Sequence, residues 1–205
     1  MSTTTTTTEK RGNSRVRKIA VVGMLTALAE ILMILDFSLP MLIPFFVKMD
    51  FSELPALIAS FVISPLAGVA VCLMKNVIHL FFTSTGGIGE LCNFLLGAMM
   101  VFPAGLIYKY MKTRKGAIIA CLVGCIVMAV MSAPINYYIS YPVYLKFMGL
   151  EDIISEYQKL NPAVSNLWDA LIWFNAPFTF VKGLLASIIT FVIYKPLSNA
   201  LKRIW

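Results

Sequence analysis

The chain has 205 residues, of which 59% are hydrophobic and 13% charged, with a mean hydropathy of +0.83 and a formal net charge of +7. That much apolar surface exceeds what one water-soluble core can enclose, so the composition excludes an ordinary globular domain and points to an integral membrane protein. The positive charge does not argue for nucleic acid, because the basic residues sit at the edges of apolar runs, where they meet anionic lipid headgroups.

Taken in order, residues 1–16 read as a disordered cytoplasmic tail built on a low-complexity Thr run. Residues 17–205 read as one all-α membrane domain of six transmembrane helices. Crossing about 30 Å of hydrocarbon takes roughly 20 helical residues. On that basis the segments fall near 17–35, 52–63, 65–82, 88–108, 116–138 and 169–195. No small-residue cleavage pattern follows the first, so it is expected to remain as a helix. The second is short and is joined to the third only by the turn at Ser64 and Pro65, which predicts a tight hairpin. In the stretch before it, Pro40, Pro44 and Pro55 bracket Met41 to Phe51 and predict an ordered loop folded over the outer mouth. Residues 139–168 form the long outer connection, with a short helix expected near 151–160. The alternating pattern of a membrane β-barrel is absent.

Charge sorting sets the orientation. Lys10, Arg11, Arg15, Arg17 and Lys18 precede the first segment, Lys109, Lys112, Arg114 and Lys115 separate the fourth from the fifth, and Lys195, Lys202 and Arg203 close the chain. The complementary connections hold Asp36, Asp50, Glu53, Glu151, Asp152, Glu156 and Asp169 against Lys48, Lys146 and Lys159. Short basic loops stay cytoplasmic, so both termini are expected inside.

Polar residues within the apolar segments are costly and mark candidate sites. Asn175, Thr179 and Lys182 fall on one face of the last helix. Lys182 is roughly 20 Å from both Asp169 and Lys195 by helical rise, too deep to snorkel comfortably. It therefore needs a counterion or a watery cavity, and a structural pair with Glu90 is the alternative to a ligand. Glu90 and Asn93 share a face of the fourth helix, behind the flexible Gly86 and Gly87. Asn136 ends the fifth helix with Tyr137 and Tyr138 after it; tyrosines at that depth also serve as interfacial anchors. Lys75, Asn76 and His79 cluster on the third helix, where helix locking and ligand contact are both open. Ala20, Gly23 and Ala27 give the first helix a small-residue face suited to a membrane partner or to internal packing. Cys72, Cys92, Cys121 and Cys125 lack paired metal-ligand spacing, and His79 is the sole histidine, so no metal site is expected.

The blocks KMDFSELPALI (48–58), PLAGV (65–69), KNVIH (75–79), TGGIGELCNFLLG (85–97), APINYY (133–138), YPVY (141–144) and PFTFVKG (177–183) together resemble the riboflavin-specific substrate-binding subunits of energy-coupling factor vitamin importers. The resemblance covers about 48–183 and rests on the order and spacing of the blocks. It implies a six-helix subunit of the bacterial plasma membrane with a vitamin site near the outer face and the loop between the first two helices as its lid. It also implies partners, one transmembrane coupling protein and two cytoplasmic ATPases, with riboflavin as transported ligand and flavin mononucleotide as a second candidate. Asn136 and Lys182 match riboflavin-contacting positions of the family, and Met41, Phe45, Phe46, Met49 and Phe51 match the cover over the ring. Tyr137 is a further substrate-contact candidate, with the interfacial anchor as its alternative. Thr179 departs from the amide expected in many relatives, a role that Asn175 is placed to take.

The physics of the ligand agrees. An uncharged, flat ring with a polar edge and a hydroxylated chain calls for an apolar slot with a few amide or ammonium donors. The chain has no GxxxxGK[ST] phosphate loop, so ATP hydrolysis falls to partners and no resident cofactor is expected. A sister subunit for another vitamin is the nearest alternative. An intramembrane enzyme pairing Glu90 with His79 is a more distant one, since nothing in sequence orients the imidazole.

Overall fold

Each expected apolar segment is helical in the computed structural model, which describes residues 4–203 except 45, 46, 84 and 148. The main helices are α1 (Thr4–Ile34), α2 (Glu53–Val62), α3 (Pro65–His79), α4 (Ile88–Tyr110) and α5 (Arg114–Ile135). After the short α6 (Tyr141–Tyr144), α7 (Leu150–Gln158) and α8 (Leu167–Ala170), the chain ends in α9 (Ala176–Arg203). Among the described residues, Pro65–Phe82, Ile88–Tyr110, Arg114–Tyr144 and Leu167–Ile193 are helical stretches long and apolar enough to cross a membrane. The first helix already begins at Thr4, so most of the tail expected to be disordered joins α1.

Local chemistry sets the corners. Ser64 is extended and accepts a hydrogen bond from the Ala67 amide, while Pro65 occupies the first helical position, where its missing N–H costs nothing. This makes the α2/α3 hairpin as tight as expected. Thr113 caps α5 in the same way by accepting from Gly116. Gly86 and Gly87 both take positive φ, which lets the chain turn sharply into α4.

Small residues let the helices approach where burial of apolar area between them adds little in lipid. A Cβ on Gly124 of α5 would stand 2.6 Å from the Met100 carbonyl oxygen of α4, and one on Gly68 of α3 would stand 2.7 Å from the Ala56 carbonyl of α2. Val21, Leu25, Leu57, Val71, Met100, Ala104, Ala120 and Met128 make the core of this bundle. A second cluster, with Tyr141, Ile153, Tyr157, Val164 and Leu171, packs α7 and the segment after it over the end of α5, α6 and α8. Between α1 and α2, β1 (Phe37–Ser38) pairs antiparallel with β2 (Lys48–Met49), Phe37 opposite Met49, and orders the expected loop.

Candidate substrate cavity

Asn136 and Asn175 both sit on widened, π-helical turns, and a proline explains each. The Asn136–Ser140 turn ends as the Tyr141 N–H bonds to the Asn136 carbonyl, one residue before Pro142. The Leu171–Asn175 turn ends as the Ala176 N–H bonds to the Leu171 carbonyl, one residue before Pro177. Proline cannot donate to the carbonyl a turn back and its ring crowds it, so the helix relaxes by one residue just ahead of it. The extra residue re-aims the side chains there, and Asn136 and Asn175 both face one cavity.

The cavity has a volume of about 230 Å³. Asn136 and Asn175 line it from their widened turns, Thr179 and Lys182 from α9, and Glu90 and Asn93 from α4. The α9 stripe read from spacing thus points inward as a unit. Leu96, Met128, Tyr144 and Phe178 supply apolar and aromatic wall. The Asn136 amide donates to the Ser132 carbonyl at 2.8 Å and accepts from the Ser140 hydroxyl at 3.0 Å, which fixes its plane and leaves one N–H and one lone pair. Glu90 accepts from the Thr85 hydroxyl at 3.2 Å.

Lys182 does not pair with Glu90. Its ammonium lies 2.8 Å from Asp50 and 3.5 Å from Glu53, both buried. Glu53 also accepts from Lys75 of α3 at 3.1 Å, and Ser52 bridges Lys75 to Asp50. The four charges cancel, which is what makes each tolerable out of water. Burial alone would raise the Asp50 carboxyl, but Lys182, then Lys75, and hydrogen bonds from Lys182 and Ser52 outweigh it and hold the group well below the usual carboxylate range. Asp50 and Glu53 are site-lining residues that sequence reasoning left among the loop acids. Their signal was local: both carboxylates sit between Met49, Phe51, Leu54 and Pro55, an apolar setting that an exposed loop acid does not need.

The Lys75, Asn76 and His79 cluster separates. Lys75 is fully buried in the charge network, and Asn76 donates to the Cys72 carbonyl at 2.7 Å and to Asn93 at 3.3 Å. His79 lines the cavity, 2.8 Å from Glu30 of α1.

The apolar lid residues are placed differently from the expectation. Met41 is 91% exposed and Met49 is buried, and neither is among the cavity-lining residues, nor is Phe51. Met49 is buried opposite the exposed Phe37 in the two-residue hairpin, and the Phe51 ring lies tilted at 6.2 Å from that of Phe37. Phe45 and Phe46 lie outside the described residues. The loop instead presents Asp36, Val47, Lys48 and Asp50 to the cavity, with Lys48 and Asp36 paired at 2.9 Å. Tyr137 does not line it either; its ring meets Tyr138 and Trp168 edge-on. Ala20, Gly23 and Ala27 do not line the cavity; they lie on the exposed side of α1, and a Cβ on Gly23 would meet nothing within 4 Å.

Residues 17–194 match the family model of the ECF transporter substrate-specific component. The chain belongs to that family. It is 32% identical to the riboflavin transporter RibU of Staphylococcus aureus (strain TCH60), over 92% of this chain and 94% of that protein. It is also 32% identical to the riboflavin transporter FmnP of Bacillus subtilis (strain 168), over 88% of this chain and 91% of that one. A solved structure described as the S component of a bacterial ECF transporter superposes with a TM-score of 0.72 at 29% identity, covering 92% of this chain and 99% of its own. This is a membrane transport component, not an enzyme.

Proposed function

We propose that this chain is the riboflavin-binding subunit of an energy-coupling factor importer, taking the vitamin at the outer face and delivering it inward with ATP-hydrolysing partners. The observation that carries this reading is the convergence of Asn136, Asn175, Thr179 and Lys182 on one cavity with an apolar and aromatic wall. Amide hydrogens and an ammonium serve the polar edge of the ring, the wall serves its face, and Glu90 with Asn93 accepts from the hydroxylated chain. Lys182 is already neutralised by Asp50 and Glu53, so it donates a hydrogen bond without requiring an anionic ligand. The relatives named as riboflavin transporters support the same ligand. Flavin mononucleotide is the second candidate. Met41, Phe45, Phe46, Met49 and Phe51 belong to a loop that closes over the bound ring.

In the proposed topology six segments, α1 to α5 and α9 with its preceding turns, cross the bacterial plasma membrane with both termini inside. The basic edges of the chain support it. Residues 1–16 precede a single substrate-binding domain. The outward face of Ala20, Gly23 and Ala27 docks the transmembrane coupling protein, which carries two cytoplasmic ATPases. The subunit holds no cofactor of its own.

Titrating the purified protein with riboflavin, following flavin or tryptophan fluorescence, tests the assignment against pantothenate and pyridoxine. Saturable one-to-one quenching by riboflavin is expected. Saturation by another vitamin with none by riboflavin would overturn the ligand.

A further inference from the structure

The outer connection carries a hydrogen-bond chain that ends on the site. Ile153 and Tyr157 lie one turn apart on α7 and bury the same face, and Gln158 pins the following loop by donating to the Val164 carbonyl at 2.9 Å. Tyr157 is completely buried, does not itself line the cavity, and donates its hydroxyl to the Asn175 side-chain oxygen at 2.7 Å. The Tyr141 hydroxyl, also buried, is hydrogen-bonded to that of Tyr157. With Tyr157 committed to Asn175, Tyr141 is the donor of that second bond, and the chain runs Tyr141 to Tyr157 to Asn175. Burial, with the neighbouring Tyr141 phenol, holds the Tyr157 hydroxyl well above the ordinary phenol range, so it keeps the proton it donates.

An amide can present either its oxygen or its two hydrogens to a ligand, and a 180° flip exchanges them at little steric cost. What decides the choice is the partner on the far side. We propose that Tyr157 is the positioning residue for Asn175: by occupying the amide oxygen from behind, it turns the Nδ2 hydrogens into the cavity as donors to a carbonyl or ring nitrogen of the ligand. A segment between the fifth and the last long helix, with no residue of α7 in the cavity wall, thereby sets the polarity of one of its recognition groups. Asn136 needs no such helper, because Ser132 and Ser140, one turn to either side on its own helix, fix it locally.

This inference rests on the riboflavin reading of the cavity. Its test is a double-mutant cycle on the full chain, with riboflavin affinity measured by fluorescence for the wild type, Tyr157→Phe, Asn175→Ala and both together. Loss of one orienting hydrogen bond is expected to weaken binding about threefold to tenfold in Tyr157→Phe. The double variant should bind no more weakly than Asn175→Ala alone, since without the amide nothing remains to orient. Wild-type affinity in Tyr157→Phe, or penalties that multiply in the double variant, would overturn the role. A general structural part for Tyr157 predicts such multiplication together with a lowered melting temperature in either background. Should Tyr157→Phe not fold, Asn175→Asp replaces it, keeping an oxygen for Tyr157 while removing both amide hydrogens. Binding reduced as far as in Asn175→Ala is then expected, and retained affinity would refute the proposal. A wild type that never saturates with riboflavin defeats the ligand reading as well, whereas a wild type that binds with multiplying penalties defeats only the positioning.

Discussion

The polar stripe on α9 and the loop between α1 and α2 were both expected to meet the ligand, and they behave differently. Every member of the stripe, Asn175, Thr179 and Lys182, lines the cavity. In the loop the bulky residues Met41, Met49 and Phe51 stay out of the lining, and the charged Asp36, Lys48 and Asp50 take part in it. A helix carries its own coordinate system, so spacing alone decides which side chains share a face. A loop takes its direction from tertiary pairs. Here the deciding one is the Lys182 ion pair that draws Asp50 inward.

Breaking the link between the two regions should have the largest effect. Lys182→Ala leaves Asp50 and Glu53 buried with Lys75 as their remaining cation, a class of change that costs about 3–5 kcal/mol. A large fall in thermal stability is expected together with at least a tenfold loss of riboflavin affinity, about 1.4 kcal/mol. Unaltered melting and unaltered binding would mean that the pair neither holds the loop nor touches the ligand.

Next in size, Asn136→Ala isolates the helical side of the contrast. It removes an amide held only by its own helix, so affinity should fall about tenfold, about 1.4 kcal/mol, while the melting temperature moves little. Calorimetric titration beside a thermal scan separates the two quantities.

The ion pair also gives the loop an acid limit. Because the Asp50 carboxyl is held below its unfolded value, its contribution to stability is complete above the unfolded carboxylate pKa of about 3.9 and is lost as pH falls toward the folded value. Melting temperatures should therefore be flat from about pH 5 to 8 in this contribution and drop below about pH 4. Asp50→Asn should shallow that acid limb; an identical limb in the variant would assign the acid loss to other groups.

The smallest effects belong to the apolar side of the loop and its margin. Met41 is 91% exposed, and Tyr137 spends its ring on Tyr138 and Trp168. Tyr137→Ala should change affinity less than Asn136→Ala does, and Met41→Ala should act mainly on the release rate, as expected of a loop that closes after binding. Stopped-flow release of riboflavin distinguishes this from a contact already made on entry.

The same contrast marks how far sequence reading reached. Segment positions followed from apolar length, and corners such as Ser64 and Pro65 followed from capping chemistry, because both depend on neighbours in the chain. Asn136 and Asn175 were legible as amides with no reason to be in lipid. Their common aim was not, since it depends on the widened turns ahead of Pro142 and Pro177. The need of Lys182 for a counterion was legible, with Glu90 as one alternative, but Asp50 was not, because it is 132 residues away and only the folded bundle joins them. Tyr157 was invisible for the same reason: nothing near it in sequence names Asn175 as its acceptor.

A structure of the protein with riboflavin bound would test the central claim most directly. The flavin ring is expected between Asn136 and Lys182, with Asn175 and Thr179 along its polar edge. Flavin density elsewhere, with side chains filling the space between Asn136 and Lys182, would contradict the account.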